Sequence, residues 1–136
     1  MKIAILLSSL WLISSTMLGQ KTNLLDMEPP AEFDNVHAAK LAHDSLSSSF
    51  VIWVKNGVKP HYHQKHTETL YVLSGTGEMS LGEKVFSIGA GDFVEIPRGE
   101  VHGVTTTSDE PLQVLSIQAP EFFGKDRIFA GQLKKK

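Results

Sequence analysis

The sequence predicts an all-β domain, folded as an antiparallel sandwich or barrel. From Ser48 onward, short runs rich in β-branched and aromatic residues alternate with glycine- and proline-bearing turns, at the spacing of consecutive antiparallel strands. No stretch of useful length carries a helical period, and no segment recurs at a fixed interval as in a solenoid. The length of 136 residues suits one domain, and 41% hydrophobic with 21% charged residues is ordinary for a globular chain. Such a chain can bury one real core with little surplus.

The first 19 residues read as a secretory signal peptide outside the domain. Lys2 gives a positive start, Ile3 to Ile13 is an apolar run broken by Ser8 and Ser9, and Ser14, Ser15, Thr16 and Gly19 lead to Gln20. The run is short and serine-rich for a membrane span, so cleavage after Gly19 and export to the periplasm or beyond are expected, with no stable membrane association afterwards. Taking 19 residues from 136 leaves 117 and removes Lys2, which moves the net charge from −2 to −3. Residues 20–34 read as a linker, because they are polar, aperiodic and end near Pro29-Pro30. Residues 35–133 are the domain, and residues 134–136 a solvated basic tail.

Asn35 to His43 admits two readings, since Ala38, Ala39 and Ala42 suit a helix while the alternation suits a strand. The Asp44-Ser45-Leu46-Ser47 turn and the strand-like run after it favour a hairpin, so a strand is expected. Phe50 to Val54 is a β-branched and aromatic run, and Asn56-Gly57 is a turn signal. Thr69 to Leu73 forms the next strand, closed by Gly75-Thr76-Gly77. Glu78 to Leu81 and Val85 to Ile88 flank the hairpin turn Gly82-Glu83-Lys84. Gly89-Ala90-Gly91-Asp92 leads into Phe93 to Ile96, and Pro97-Arg98-Gly99 turns again. Val101 to Thr106 and Leu112 to Ile117 flank Ser108-Asp109-Glu110-Pro111. The tail from Glu121, with Phe122, Phe123, Ile128 and Phe129, is expected to pack on the barrel as an irregular segment or short strand.

Charge and cysteine content narrow the function. A net charge of −2 gives no reason to expect nucleic acid as a partner, and the absence of cysteine excludes disulfides and thiolate metal sites. Any metal must therefore sit on nitrogen and oxygen ligands. The densest set of such ligands is His61-Tyr62-His63-Gln64-Lys65-His66-Thr67-Glu68. Two apart in a strand, His61 and His63 share a face with Cα atoms about 6–7 Å apart, close enough for both imidazoles to reach one ion. Glu68 shares a face with Leu70 and Val72, so it points into an apolar interior, where a carboxylate needs a cation or donors. His66 lies in the intervening turn and is expected to point outward. Downstream, Gly91, Pro97, Gly99 and His102 form a second constellation at a pair of tight turns, a weak signal taken alone.

Together the two segments resemble the two motifs of the cupin superfamily. The first runs His61, His63, four residues, Glu68, six residues and Gly75. The second runs Gly91, five residues, Pro97, Gly99, two residues and His102, with the 15 residues Thr76 to Ala90 between the motifs. The resemblance covers about Phe50 to Ile117. Two features depart from the family pattern: three residues separate Gly57 from His61 where five are usual, and Thr106 replaces an asparagine that often ends the second motif. Neither position is a metal ligand in the family. The resemblance implies a double-stranded β-helix (jelly-roll) barrel and a divalent transition metal, Mn, Fe, Ni, Co or Zn, on His61, His63, Glu68 and His102. Two coordination positions of an octahedral ion would stay open. It also implies a homodimer paired along an edge strand.

The expected function is that of a metal-dependent cupin acting on a small molecule, dioxygenase-like or isomerase-like, with Glu68 able to act as a base if it left the metal. The alternative is a module that binds a small molecule or a metal without turnover. Trp53 and Phe93 are expected in the core, Tyr71 on the face opposite Glu68, Arg98 in a solvated turn and His37 and His43 at the surface. Phe122 and Phe123 are expected to form a packing or dimer patch.

Overall fold

A computed structural model describes residues 21–132 of the chain. The signal-peptide reading of residues 1–19 and the basic tail at 134–136 lie outside them. The described residues form ten strands: β1 (Val36–His43), β2 (Ser48–Val54), β3 (Gly57–Tyr62), β4 (Thr67–Ser74), β5 (Thr76–Leu81), β6 (Lys84–Gly89), β7 (Phe93–Ile96), β8 (His102–Thr106), β9 (Leu112–Ala119) and β10 (Ile128–Phe129). A short 3₁₀ turn at Leu24–Asp26 precedes them and another at Ala130–Gln132 follows.

The strands pair in two five-stranded sheets, ordered β1-β2-β9-β4-β7 and β10-β3-β8-β5-β6. Every pairing is antiparallel, as the hairpin signals predicted. Asn35 to His43 resolves as strand: β1 pairs with β2 across the Asp44 turn, whose carboxylate accepts from the Leu46 and Ser47 amides. The segment before β1 docks on the barrel. Leu24 accepts from the Gln113 side chain, and the Asn35 side chain bonds the backbone of Asn56 and Gly57.

The core lies between the sheets. Val54, Val72, Val94, Ile96, Leu112 and Val114 come from the first sheet and meet Met79 and Ile88 from the second. Each such side chain taken out of water contributes about 1.5–3 kcal/mol. Strand alternation sends every second side chain to an outer face.

Phe93 is a correction to the sequence reading, for it is 66% exposed. In the four residues of β7 the inward places belong to Val94 and Ile96, so the aromatic ring faces out. Trp53 is buried as expected, but it neighbours inward Val54 and stacks on His37 at 5.7 Å between ring centroids, on the outer side of its sheet. Tyr71 lies on the outer face and is exposed, as is Arg98 in its turn.

Two glycines bear on the site. Gly75 holds φ +76° between β4 and β5, and a Cβ there would sit 2.9 Å from the Leu112 backbone. Gly99 holds φ +83°, and its amide donates to the His63 carbonyl at 2.8 Å, which ties the Pro97 turn to the histidine loop.

Candidate metal centre

Antiparallel pairing of β3 and β8 sets His61 directly opposite His102. His63 follows just past the end of β3, and Glu68 opens β4 on the facing sheet, opposite Ile96 and Gln118. The structure thus brings His61, His63, Glu68 and His102 together, all buried. One ring nitrogen from each of the three histidines lies within 4.8 Å of the others.

Backbone carbonyls fix the orientation of each ring. His61 Nδ1 lies 2.9 Å from Lys59 O, His63 Nδ1 lies 2.8 Å from Asp126 O, and His102 Nδ1 lies 3.0 Å from Glu100 O. A carbonyl can only accept, so each Nδ1 carries a proton and Nε2 is the atom each ring can offer a metal. The Nε2 atoms of His63 and His102 are buried with no hydrogen-bond partner. Glu68 is oriented in the same manner. Its Oε1 accepts from Ser116 Oγ and from Gln118 Nε2 at 3.2 Å, leaving Oε2 at 3.3 Å from His63 Nε2 and 3.4 Å from His102 Nε2.

Lone pairs facing one another across such a gap repel unless a proton or a cation lies between them. The protonation balance shows that tension. Burial works against ionised Glu68, but His102, His63 and Ser116 outweigh it and hold the carboxyl well below the usual carboxylate range. Burial also works against protonated His63, yet Glu68 and the Asp126 carbonyl raise it above its ordinary value. His61 lacks that help. Burial, then the charges of His102, Arg127 and His63, push it down to about 4 against the opposing bond to Lys59. Preset tautomers, orphaned buried nitrogens and an all-N/O donor set are the features a divalent transition metal needs, so the three histidines fit such an ion.

His66 is a second correction. It is buried, with Nδ1 2.5 Å from Asp126 Oδ2 and Nε2 2.8 Å from Glu121 O. The turn does not send it into solvent because the C-terminal segment folds over it. Asp126 also accepts from the amides of Gln64 (3.1 Å) and Lys65 (2.7 Å). Burial alone would raise the Asp126 carboxyl, but these donors and His66 hold it below its usual range. Phe122 packs edge-on to His63 and His66, whereas Phe123 is exposed. His43 is at the surface beside Glu121, and His37 is half-buried against Trp53.

Sequence reasoning missed Ser116, Gln118, Asp126 and Arg127. The first two had a signal: in Leu112–Ala119 they occupy the inner-face positions shared with Leu112 and Val114, where polar side chains need a buried partner. Asp126 and Arg127 had none. Beside the histidines opens a small pocket of about 60 Å³. Its wall is apolar, with Ile52, Val58, Leu70 and Met79 among its members, while His61, Glu68, His102 and Arg127 supply the polar groups.

Two facing antiparallel sheets around a three-histidine centre define a double-stranded β-helix barrel with a potential metal site. The family model described as "Cupin domain" matches residues 49–118, and the chain belongs to that family. An uncharacterized protein of Aquifex aeolicus is 33% identical over 101 residues, covering 74% of this chain and 83% of that one. Quercetin 2,3-dioxygenase of Bacillus subtilis is 31% identical over 95 residues, but this chain spans only 28% of its length. Among solved structures, a protein with a double-stranded beta-helix domain from Klebsiella pneumoniae superposes with a TM-score of 0.66 at 23% identity, covering 75% of this chain and 90% of that one. That likeness supports the fold.

Proposed function

We propose that this chain is a metal-dependent cupin acting on a small, largely apolar molecule, with a divalent transition metal held by His61, His63, His102 and Glu68. The observation that carries the reading is the pair of buried, unpartnered Nε2 atoms facing the Glu68 carboxylate. Such an ion supplies Lewis acidity and, where redox-active, electrons for dioxygen chemistry. The chain's own residues do the rest. Lys59, Asp126 and Glu100 carbonyls hold the three rings, Ser116 and Gln118 hold Glu68, and the apolar wall keeps water from the bound molecule. Glu68 is the one carboxylate among the described residues lining the pocket, and its Oε2 would accept a proton from a bound molecule only after leaving the metal. A site with one such group suits oxygenase-like chemistry better than an isomerisation with separate acid and base, and a dioxygenase stands among the relatives.

The apolar wall also favours a second reading, a binding module without turnover. One experiment separates them. Purified protein is assayed for metal by elemental analysis beside a His61→Ala/His102→Ala double variant, and oxygen uptake is followed with diols and flavonoids after iron or nickel loading. We expect about one transition-metal ion per native chain, none in the variant, and uptake only in the loaded native protein. Metal without uptake favours the binding module; equal metal in both proteins overturns the site.

A further inference from the structure

We infer that the pocket selects a ligand with one anionic group, such as a carboxylate, on a small apolar body, and that Arg127 is the residue that holds the anion. The inference rests on the proposed use of this pocket for a small molecule.

Arg127 is the only lysine or arginine among the described residues lining the pocket, which it shares with His61, Glu68 and His102. Among those residues no carboxylate forms an ion pair with it, although His43, His63, His66 and His102 all have acidic neighbours. Its main chain is held on both sides. Asp126 is tied to the histidine loop through three donors to its carboxylate and one to its carbonyl, and Ile128 pairs with Tyr62 in the sheet. Arg127 therefore leaves the chain at a fixed point on the pocket, where its side chain is exposed.

A guanidinium is weakly hydrated and presents paired N–H donors that match a carboxylate. Apart from His61, Glu68 and His102 the rest of the wall is apolar, so it rewards an apolar body by burial, and Arg127 is the fixed cation among the lining residues. A cationic ligand would meet repulsion from Arg127 and from any bound metal.

Benzoate and its neutral isostere benzamide test this by titration calorimetry on zinc-loaded and on chelator-stripped protein. Native protein should prefer benzoate by about tenfold, the least expected for a charge-assisted hydrogen bond. That preference should fall to near unity in Arg127→Gln and be partly kept in Arg127→Lys. Equal affinities in native protein, or an undiminished preference in Arg127→Gln, overturn the inference. So does a preference that vanishes on stripping yet survives Arg127→Gln, since the anion would then sit on the metal. An Arg127-dependent preference in protein that takes up no metal on zinc loading would remove the metal reading and leave this one standing.

Discussion

At His61, burial and neighbouring charge act in the same direction, whereas at His63 the Glu68 carboxylate opposes burial and prevails. The two rings are 5.1 Å apart between centroids but should titrate differently. In metal-free protein, His61 stays neutral as the pH falls until about 4, while His63 keeps its second proton above its ordinary value of 6.5. The sign for stability follows. Unfolded His61 takes up a proton near 6.5 and folded His61 only near 4, so its contribution is present above 6.5 and is lost as the pH falls through about 4. Nitrogen-15 NMR of the imidazoles across this range checks it, and two rings titrating together near 6.5 would refute it. The candidate ligand cluster was legible because histidine and glutamate at this spacing have few other uses. Ser116 and Gln118 were less so, because their role depends on cross-strand register, with Gln118 opposite Glu68 and Ser116 opposite Leu70.

Among the elements, β10 is the smallest and the least foreseen. Two residues leave no alternation to detect, and what fixes the segment is Asp126, which bonds side chains and amides some 60 residues earlier in the chain. The same long-range tie explains why a turn histidine such as His66 is buried, a fact local pattern does not contain. Replacing Asp126→Asn keeps the shape and removes the charge. It should cost about 1–3 kcal/mol in urea denaturation, as expected for buried donors deprived of a charged acceptor. It should also speed amide exchange at Ile128 and Phe129 relative to β4. Unchanged exchange at β10 would show that other contacts hold the segment. The longer strands were legible to within about two residues at each end, as the expected Thr69 to Leu73 lies inside Thr67–Ser74, and β7 matches the expected Phe93 to Ile96. Phe93 was misplaced because its aromatic character was weighed above alternation, which puts it on the outer face with Glu95.

Over the whole molecule, the candidate ligands come from both sheets: His61 and His102 from one, Glu68 from the other, with His63 in the loop between. An ion bound to all of them would tie the sheets together and would favour the folded state by mass action. At a free concentration one hundred times its dissociation constant that amounts to about 2.7 kcal/mol. Thermal unfolding should therefore rise by several degrees with metal and fall again with a chelator. The His61→Ala/His102→Ala variant should show neither change, and a native protein indifferent to chelator would contradict the four-ligand centre.

The facing of His61 and His102 across β3 and β8 has one more consequence. Their register passes through an irregularity between Val58 and His61, so the pairing is set there and not by a uniform ladder. Sliding one strand by a single residue would turn its histidine to the opposite face. Only correctly threaded chains would then capture the ion, and a mispaired chain would be left without that stabilisation. Metal occupancy would act as proofreading of strand alignment, and the metal content of a preparation would count the molecules that had folded in register.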